Sequence, residues 1–173
     1  MANGENPPWT KDKKVVTVFE DLFYEFEALV TAVVRGYEYI RYPIWEKYES
    51  GKGTPRNFEL TINKCTFPPE IKERIHRSSK LCYEPAKAIR HCIQHNVDIG
   101  SSSWCMFEKQ MNLFWSLIVR IPDNPEAKSA TAFTFHRGLD ALTAGWEYVT
   151  EFFAVADIII GKGDLSSIKC GNS

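Results

Sequence analysis

The stretch VVTVFEDLFYEFEALVTAVVRGYEYI, residues Val15–Ile40, has the most regular hydrophobic pattern in the chain. Its apolar residues recur mostly at spacings of four and three: Val15, Phe19, Leu22, Phe26, Leu29, Val33 and, one heptad later, Ile40. This spacing is typical of one face of an α-helix. We therefore predict a long amphipathic helix that begins near Lys13. We expect Pro43 to kink or end it, because proline lacks the amide N–H that the next helical turn requires.

A second long pattern lies near the other end of the chain. Its members are Phe135, Leu139, Leu142, Trp146, Val149, Phe153, Ala156 and Ile160. It predicts a helix that Gly161 and Gly163 would end, because glycine readily adopts the left-handed conformation found after helices. Upstream, Asn124-Pro125-Glu126 has the residue types preferred at the cap and first turn of a helix. We expect the two long helices to bury their apolar stripes by packing nearly antiparallel.

Shorter elements separated by prolines are predicted between these helices. Pro68-Pro69-Glu70 is typical of a helix start, and the apolar spacing continues to Cys82. Pro85 should interrupt that helix and start another, which would run to His95. The alternation in Phe58–Ile62 predicts a short extended segment that packs as a connector.

A further stripe follows these elements and predicts one more helix, which Pro122 would end. Its members are Phe107, Met111, Phe114, Leu117 or Ile118, and Ile121.

The predicted fold class is therefore all-α, a single-domain bundle of four to five mostly antiparallel helices with short, proline-punctuated helices in the middle. The bundle would span residues 13–161. Residues 1–12 would form a disordered N-terminal arm, and residues 162–173 a flexible C-terminal tail. The sustained period of about 3.5 residues is typical of coiled-coil packing, so an apolar stripe could serve the core or a partner chain.

Composition narrows the class of protein. Of the 173 residues, 44% are hydrophobic and 25% charged, a balance typical of globular proteins, and the formal net charge is −1. No apolar run is long enough to cross a membrane, and the N-terminus lacks the pattern of a secretory signal. We therefore expect an intracellular, cytoplasmic protein without membrane partners or a cofactor. The five cysteines are irregularly spaced, which predicts free buried thiols.

Charge is unevenly distributed along the chain. Residues Val18–Ser50 contain seven acids and three bases, whereas Lys64–His95 contains seven bases and three acids. One interpretation is that these two segments dock against each other. The other is a local basic surface that binds an anion such as RNA phosphate. The candidate anion-binding residues are Lys72, Arg74, Arg77, Lys80, Lys87 and Arg90.

The stretch AIRHCIQHN, residues Ala88–Asn96, concentrates chemically versatile side chains. Its simplest interpretation is a short helix with Ile89, Cys92 and Ile93 turned inward. His91 and His95 are four residues apart, so on a helix both could reach one zinc ion. Two ligands do not complete a zinc site, and no spacing brings a third to them. We therefore predict no metal site.

The hexapeptide Arg90-His91-Cys92-Ile93-Gln94-His95 resembles the Rx4–6H signature of HEPN domains. That family consists of small helical bundles, many of which are metal-independent ribonucleases that often act as dimers. The resemblance implies that Arg90 would hold the scissile phosphate and that His95 would activate the 2′-hydroxyl or protonate the leaving oxygen. On a regular helix a five-residue step separates two side chains by about 140°. The pair would therefore converge only at a frayed helix end or across a dimer.

Two functions follow from these observations. The first is a non-catalytic helical bundle that acts by self-association or by binding another macromolecule, with a structural subunit whose basic surface faces RNA as a special case. The alternative is a HEPN-like ribonuclease that uses Arg90 and His95. The absence of a glycine-rich phosphate loop and of a nucleophile-elbow motif favours the first.

Overall fold

The computed structural model describes residues 13–49, 51, 53–95, 105–110 and 114–161. Its α-helices are α1 (Lys13–Tyr48), α2 (Phe58–Lys64), α3 (Pro69–Ser78), α4 (Glu84–His95) and α5 (Ala141–Ile160). The predicted all-α bundle is confirmed. A short antiparallel hairpin accompanies the helices, formed by β1 (Cys105–Gln110) and β2 (Phe114–Val119). The predicted arm and tail, residues 1–12 and 162–173, lie outside the described residues.

The described residues form two compact units. The first unit comprises those of Met1–Val30 and Ala88–Gly145, and the second those of Thr31–Lys87 and Trp146–Ser173. Helices α1, α4 and α5 each contribute to both units.

Helix α1 begins at Lys13, as predicted, and continues through Pro43 to Tyr48. Its buried side chains are Phe23, Phe26, Val30, Val33, Val34, Tyr37, Ile40 and Ile44. Pro43 does not end the helix. It lacks the amide N–H that would have bonded the Tyr39 carbonyl. Both Pro43 and Tyr39 are exposed, so this side of the helix faces water, which can hydrogen-bond the carbonyl instead.

Helix α2 replaces the extended connector predicted for Phe58–Ile62, so that prediction was wrong. Asn57 caps the helix, because its Oδ1 accepts the backbone N–H of Leu60 at 2.9 Å. Phe58, Thr61 and Ile62 are buried, and residues three and four positions apart lie on one face of a helix. The cap and this buried face together outweigh the alternation of the apolar residues.

Helix α3 starts at Pro69 directly after Pro68, which confirms the predicted proline-initiated start. Pro85 does not separate α3 from α4. A π-helical turn over Ser79–Tyr83 joins them, and the backbone N–H of Glu84 donates to the Ser79 carbonyl. The wider turn accommodates the missing N–H of the proline that follows, which explains why the helical path continues.

The helix predicted from Phe107 to Ile121 is wrong. The strands β1 and β2 occupy this region, with Cys105 opposite Val119 and Gln110 opposite Phe114. The second strand, Phe-Trp-Ser-Leu-Ile-Val, is rich in aromatic and β-branched residues, which favour extended backbone. A short apolar run does not distinguish a strand from a helix by spacing alone.

The predicted helix start at Asn124 is also wrong. Asn124 Oδ1 accepts the backbone N–H of Thr134 at 2.9 Å, and its Nδ2 donates to the Ala132 carbonyl at 3.0 Å. Asn124 therefore closes a loop. Helix α5 starts later, at Ala141, where Asp140 Oδ2 accepts the backbone N–H of Thr143 at 3.1 Å.

Within the second unit, α1 and α5 run in the same direction. A Cβ atom at Gly36 would lie 2.8 Å from the Phe152 ring, and eleven residues further along α1 Lys47 Nζ donates to the Ile159 carbonyl at 3.0 Å. This pair departs from the predicted antiparallel packing of the long helices. The connection between α4 and α5 spans 45 residues. It is long enough to carry the chain back so that α5 can start near the beginning of α1 and run parallel to it.

Helices α1 and α3 have the predicted antiparallel arrangement. The Tyr48 ring packs against Phe67, with ring centroids 4.9 Å apart, just before α3 begins. One end of α3 thus lies by the end of α1. At the other end of α3, the Ser78 hydroxyl is 2.6 Å from the Tyr37 hydroxyl, three turns earlier on α1.

Candidate functional site

Helix α5 exposes three bulky apolar side chains within the second unit. Trp146 is 73% exposed, Phe153 59% and Ile160 62%. They are seven residues apart, two helical turns, so they lie along one face. We call Trp146, Phe153 and Ile160 the α5 stripe.

A different face of α5 contributes to the core. The side chains of Tyr148, Val155, Ile158 and Ile159 are buried. On a helix with about 100° per residue, this face is centred more than a quarter-turn away from the α5 stripe. The sequence pattern left open whether its heptad stripe served the core or a partner chain. The structure exposes Trp146, Phe153 and Ile160 of that heptad stripe.

The residues that border the α5 stripe are nearly neutral. Thr150 and Asp157 lie seven residues apart on one edge, and the half-buried Val149 lies within the stripe. Helix α5 contains no lysine or arginine. Its Glu151 is turned away from the stripe, because it pairs with Arg74 of α3. The exposed face is therefore apolar, with Asp157 on its edge and the exposed Glu147 next to Trp146 in the chain, a surface typical of protein contacts.

Two of the six candidate anion-binding residues are engaged in ion pairs. Arg74 binds both carboxylate oxygens of Glu151, with its second terminal nitrogen 2.7 Å from Oε2. Lys87 Nζ lies 3.0 Å from Glu59 Oε1 and 5.4 Å from the Tyr83 ring centroid. These contacts join the basic segment to α5 and α2. The remaining four are Lys72, Arg77 and Lys80, which are exposed, and Arg90, which is half-buried.

Arg90 and His95 both lie within regular α4, so the helix separates them by about 140°. Arg90 is half-buried, and its Nε is buried without a hydrogen bond among the described residues. His95 is exposed, and its ring centroid is 4.6 Å from that of His91. The described chain therefore does not bring Arg90 and His95 together. The ribonuclease hypothesis would require a second protomer, or an arrangement involving residues 96–104, which lie outside the described residues.

The inward face predicted for AIRHCIQHN is present, because Ile89, Cys92 and Ile93 are buried. Within the part of the chain that the structure describes, no three His, Cys, Asp or Glu side chains lie close enough together to hold a metal ion. Cys65, Cys82 and Cys92 are free, buried thiols, as predicted. The side chains of Cys105 and Cys170 lie outside the described residues.

These thiols should make stability fall at alkaline pH. Burial raises the pKa of Cys82 to about 12 and that of Cys65 and Cys92 to about 11. An unfolded thiol ionises near pH 8.5, so above that value the unfolded state loses protons that the folded state keeps. Stability is then lost progressively, by up to about 1.4 kcal/mol per thiol for each pH unit between the two pKa values.

Urea unfolding at about pH 8 and pH 10 measures this dependence. We expect a lower free energy of unfolding at the higher pH and a shallower dependence in Cys82→Ala. Equal stability at both values would show that the buried thiols ionise as readily as unfolded ones.

A buried polar cluster in the second unit was missed at the level of sequence. The Tyr83 hydroxyl donates to Glu38 Oε1, while Glu38 Oε2 accepts from the Phe58 backbone N–H at 3.2 Å and from Arg41 at 2.8 Å. The Tyr37 hydroxyl pairs with Ser78 beside it. The hydroxyls of Tyr83, Tyr37 and Ser78 and the Glu38 carboxylate thus each have a partner, which is typical of a structural network, whereas Arg41 Nε is buried without one among the described residues.

No protein-family model, curated protein or solved structure matches this chain. None of the described helices combines the length and apolar character needed to cross a membrane.

Proposed function

We propose that this protein is a non-catalytic helical bundle that acts by binding protein, with the α5 stripe as its contact surface. The observation that carries the proposal is the exposure of Trp146, Phe153 and Ile160 on one face of a helix whose other face is core. A patch of large apolar side chains exposed on a folded surface often marks an interaction site.

The size of the stripe supports this function. Buried aromatic side chains cover about 150–250 Å² each, so three side chains exposed by more than half present on the order of 400 Å². That is the size of the largest apolar patch on a typical monomer, about 300–600 Å², which is often functional. Tryptophan and phenylalanine are also enriched at interface centres, where their burial contributes most to affinity.

At the α5 stripe the charge pattern favours a protein partner over RNA, because the stripe carries no basic side chain. Of the six candidate anion-binding residues, Arg74 and Lys87 are engaged with carboxylates, while Lys72, Arg77 and Lys80 are exposed outside the stripe. Binding to RNA phosphates depends mainly on free Lys and Arg side chains, because it gains from the release of counterions.

Charged substitutions in the stripe test the proposal. We expect Trp146→Glu and Phe153→Glu to leave the thermal midpoint nearly unchanged at submicromolar concentration, because both side chains already face water. Binding of an apolar fluorescent dye should fall in both variants. The matched control is Leu81→Glu, which charges an apolar residue that is 56% exposed on the π-helical turn, outside the stripe.

Two results would contradict this function. A fall in the thermal midpoint of about 5 °C or more in both stripe variants would mean that the stripe supports the fold itself. Dye binding that falls equally in Leu81→Glu would mean that the stripe has no special affinity for apolar surfaces.

A further inference from the structure

We infer that the partner of the α5 stripe is the α5 stripe of a second copy, packed antiparallel about a two-fold axis that passes beside Phe153. This inference rests on the proposed function, namely that the stripe is a contact surface. It adds the identity of the partner and the arrangement of the two helices.

The spacing of the stripe is self-complementary. Trp146 and Ile160 lie seven residues before and after Phe153, about 10.5 Å along the helix in each direction. In an antiparallel pair centred on Phe153, each Trp146 therefore lies opposite Ile160 of the second copy, and the two Phe153 rings meet at the centre. A two-fold interface requires this kind of matching, because the same patch serves both copies.

The residues between the bulky side chains are smaller than those of the stripe. Val149 and Ala156 occupy the intermediate positions; Val149 is half-buried, and Ala156 is mostly covered within its own chain. Bulky side chains at seven-residue intervals can insert between smaller ones of the facing helix, as in coiled coils. Because the intervals are seven residues, the α5 stripe stays turned toward the facing helix along its whole length.

The flanking charge favours the antiparallel direction. With Phe153 at the centre, Asp157 lies opposite Val149 and next to Thr150 of the second copy, so its carboxylate can accept a hydrogen bond from a hydroxyl. A parallel pair would hold the two Asp157 carboxylates at the same height along the helices, whereas the antiparallel pair separates them by about 12 Å along the axis. Like charges held together disfavour an interface. Glu151 does not interfere, since Arg74 holds it away from the stripe.

The area predicts a weak dimer. Two stripes of about 400 Å² each give an apolar centre of about 800 Å². This is below the range for specific, stable interfaces, about 1,200–2,000 Å², and fits a weak, transient one. We therefore expect a reversible dimer whose population depends on protein concentration.

Sedimentation equilibrium of the full chain tests the partner. We expect a concentration-dependent dimer for the unmodified protein and for Leu81→Glu. For Phe153→Glu we expect dimerisation at least about a hundredfold weaker, because the substitution places a charge at the centre of the interface in both copies.

Mild oxidation of cysteine variants tests the direction. An equal mixture of Trp146→Cys and Ile160→Cys should give a mixed disulfide between positions 146 and 160, identified by mass spectrometry of the linked peptides. Trp146→Cys alone should not link to itself through position 146, because the antiparallel pair holds these positions far apart. Unmodified protein oxidised in parallel reports any linkage through its own cysteines.

The possible results separate the second copy as partner from the proposed function of the stripe as a contact surface. A monomer at the highest soluble concentration, together with unchanged thermal midpoints and reduced dye binding in the stripe variants, would overturn the second copy as partner and leave the contact surface standing. Unfolding of the stripe variants would overturn both. A dimer in which Trp146→Cys links to itself would overturn the antiparallel arrangement.

Discussion

Replacing Tyr37 by alanine should lower the free energy of unfolding by about 3–5 kcal/mol, because it removes a large, fully buried aromatic side chain. The Tyr37 ring contacts those of Phe58, Tyr83 and Phe152, with centroid distances of 5.1, 5.4 and 5.3 Å. These rings come from α2, the π-helical turn and α5, so the cavity would affect every element that packs on α1 there. The substitution also leaves the buried Ser78 hydroxyl without its partner. Urea unfolding measures the loss.

Tyr39→Ala is the matched control for this prediction. Tyr39 lies two residues further along α1 and is 71% exposed, so the same substitution should change stability by about 0.5 kcal/mol or less. Tyr37→Phe should fall between the two, at about 1–2 kcal/mol, because it keeps the ring but removes the hydrogen bond to Ser78. If Tyr37→Ala cost no more than Tyr39→Ala, Tyr37 would not be at the centre of the core.

Glu38→Ala should lower the free energy of unfolding by about 2–4 kcal/mol, because it leaves buried donors unpaired. The Glu38 carboxylate accepts hydrogen bonds from the Tyr83 hydroxyl, the Phe58 backbone N–H and the Arg41 guanidinium. Tyr83 and Phe58 are fully buried, so water cannot easily replace the lost acceptor. Thermal or urea unfolding reports the change.

The control for this substitution is Glu46→Ala, which removes an exposed carboxylate from the same helix. It should change stability by about 0.5 kcal/mol or less. Glu38→Gln keeps one acceptor oxygen and should be less destabilising than Glu38→Ala. Equal effects of Glu38→Ala and Glu46→Ala would show that Tyr83 and Phe58 do not depend on the Glu38 carboxylate.

Tyr37 shows where reasoning from sequence fell short in the core. The predicted stripe passed from Val33 to Ile40 and omitted Tyr37, although Tyr37 continues the spacing of four and three. Burying a tyrosine hydroxyl is unfavourable unless it has a hydrogen-bond partner. Burial is possible because Ser78, 41 residues away in the chain, pairs with that hydroxyl. A pattern within one helix carries no information about such a distant partner.

The α5 stripe shows the same limit at the surface. The spacing in the sequence identified Trp146, Phe153 and Ile160 as members of one apolar face. It did not determine whether that face was covered, because α5 has apolar residues on most sides and only its neighbours decide which side they cover.

Local periodicity, capping chemistry and composition were enough to predict the all-α class, the long helix from Lys13, the proline-initiated start of α3 and the buried thiols. They did not predict the π-helical turn before Pro85, the hairpin β1–β2, the parallel course of α1 and α5, or the outward direction of the α5 stripe. These features depend on contacts between residues far apart in the chain. Such contacts select among local structures whose intrinsic free energies differ by only about 1 kcal/mol per residue or less.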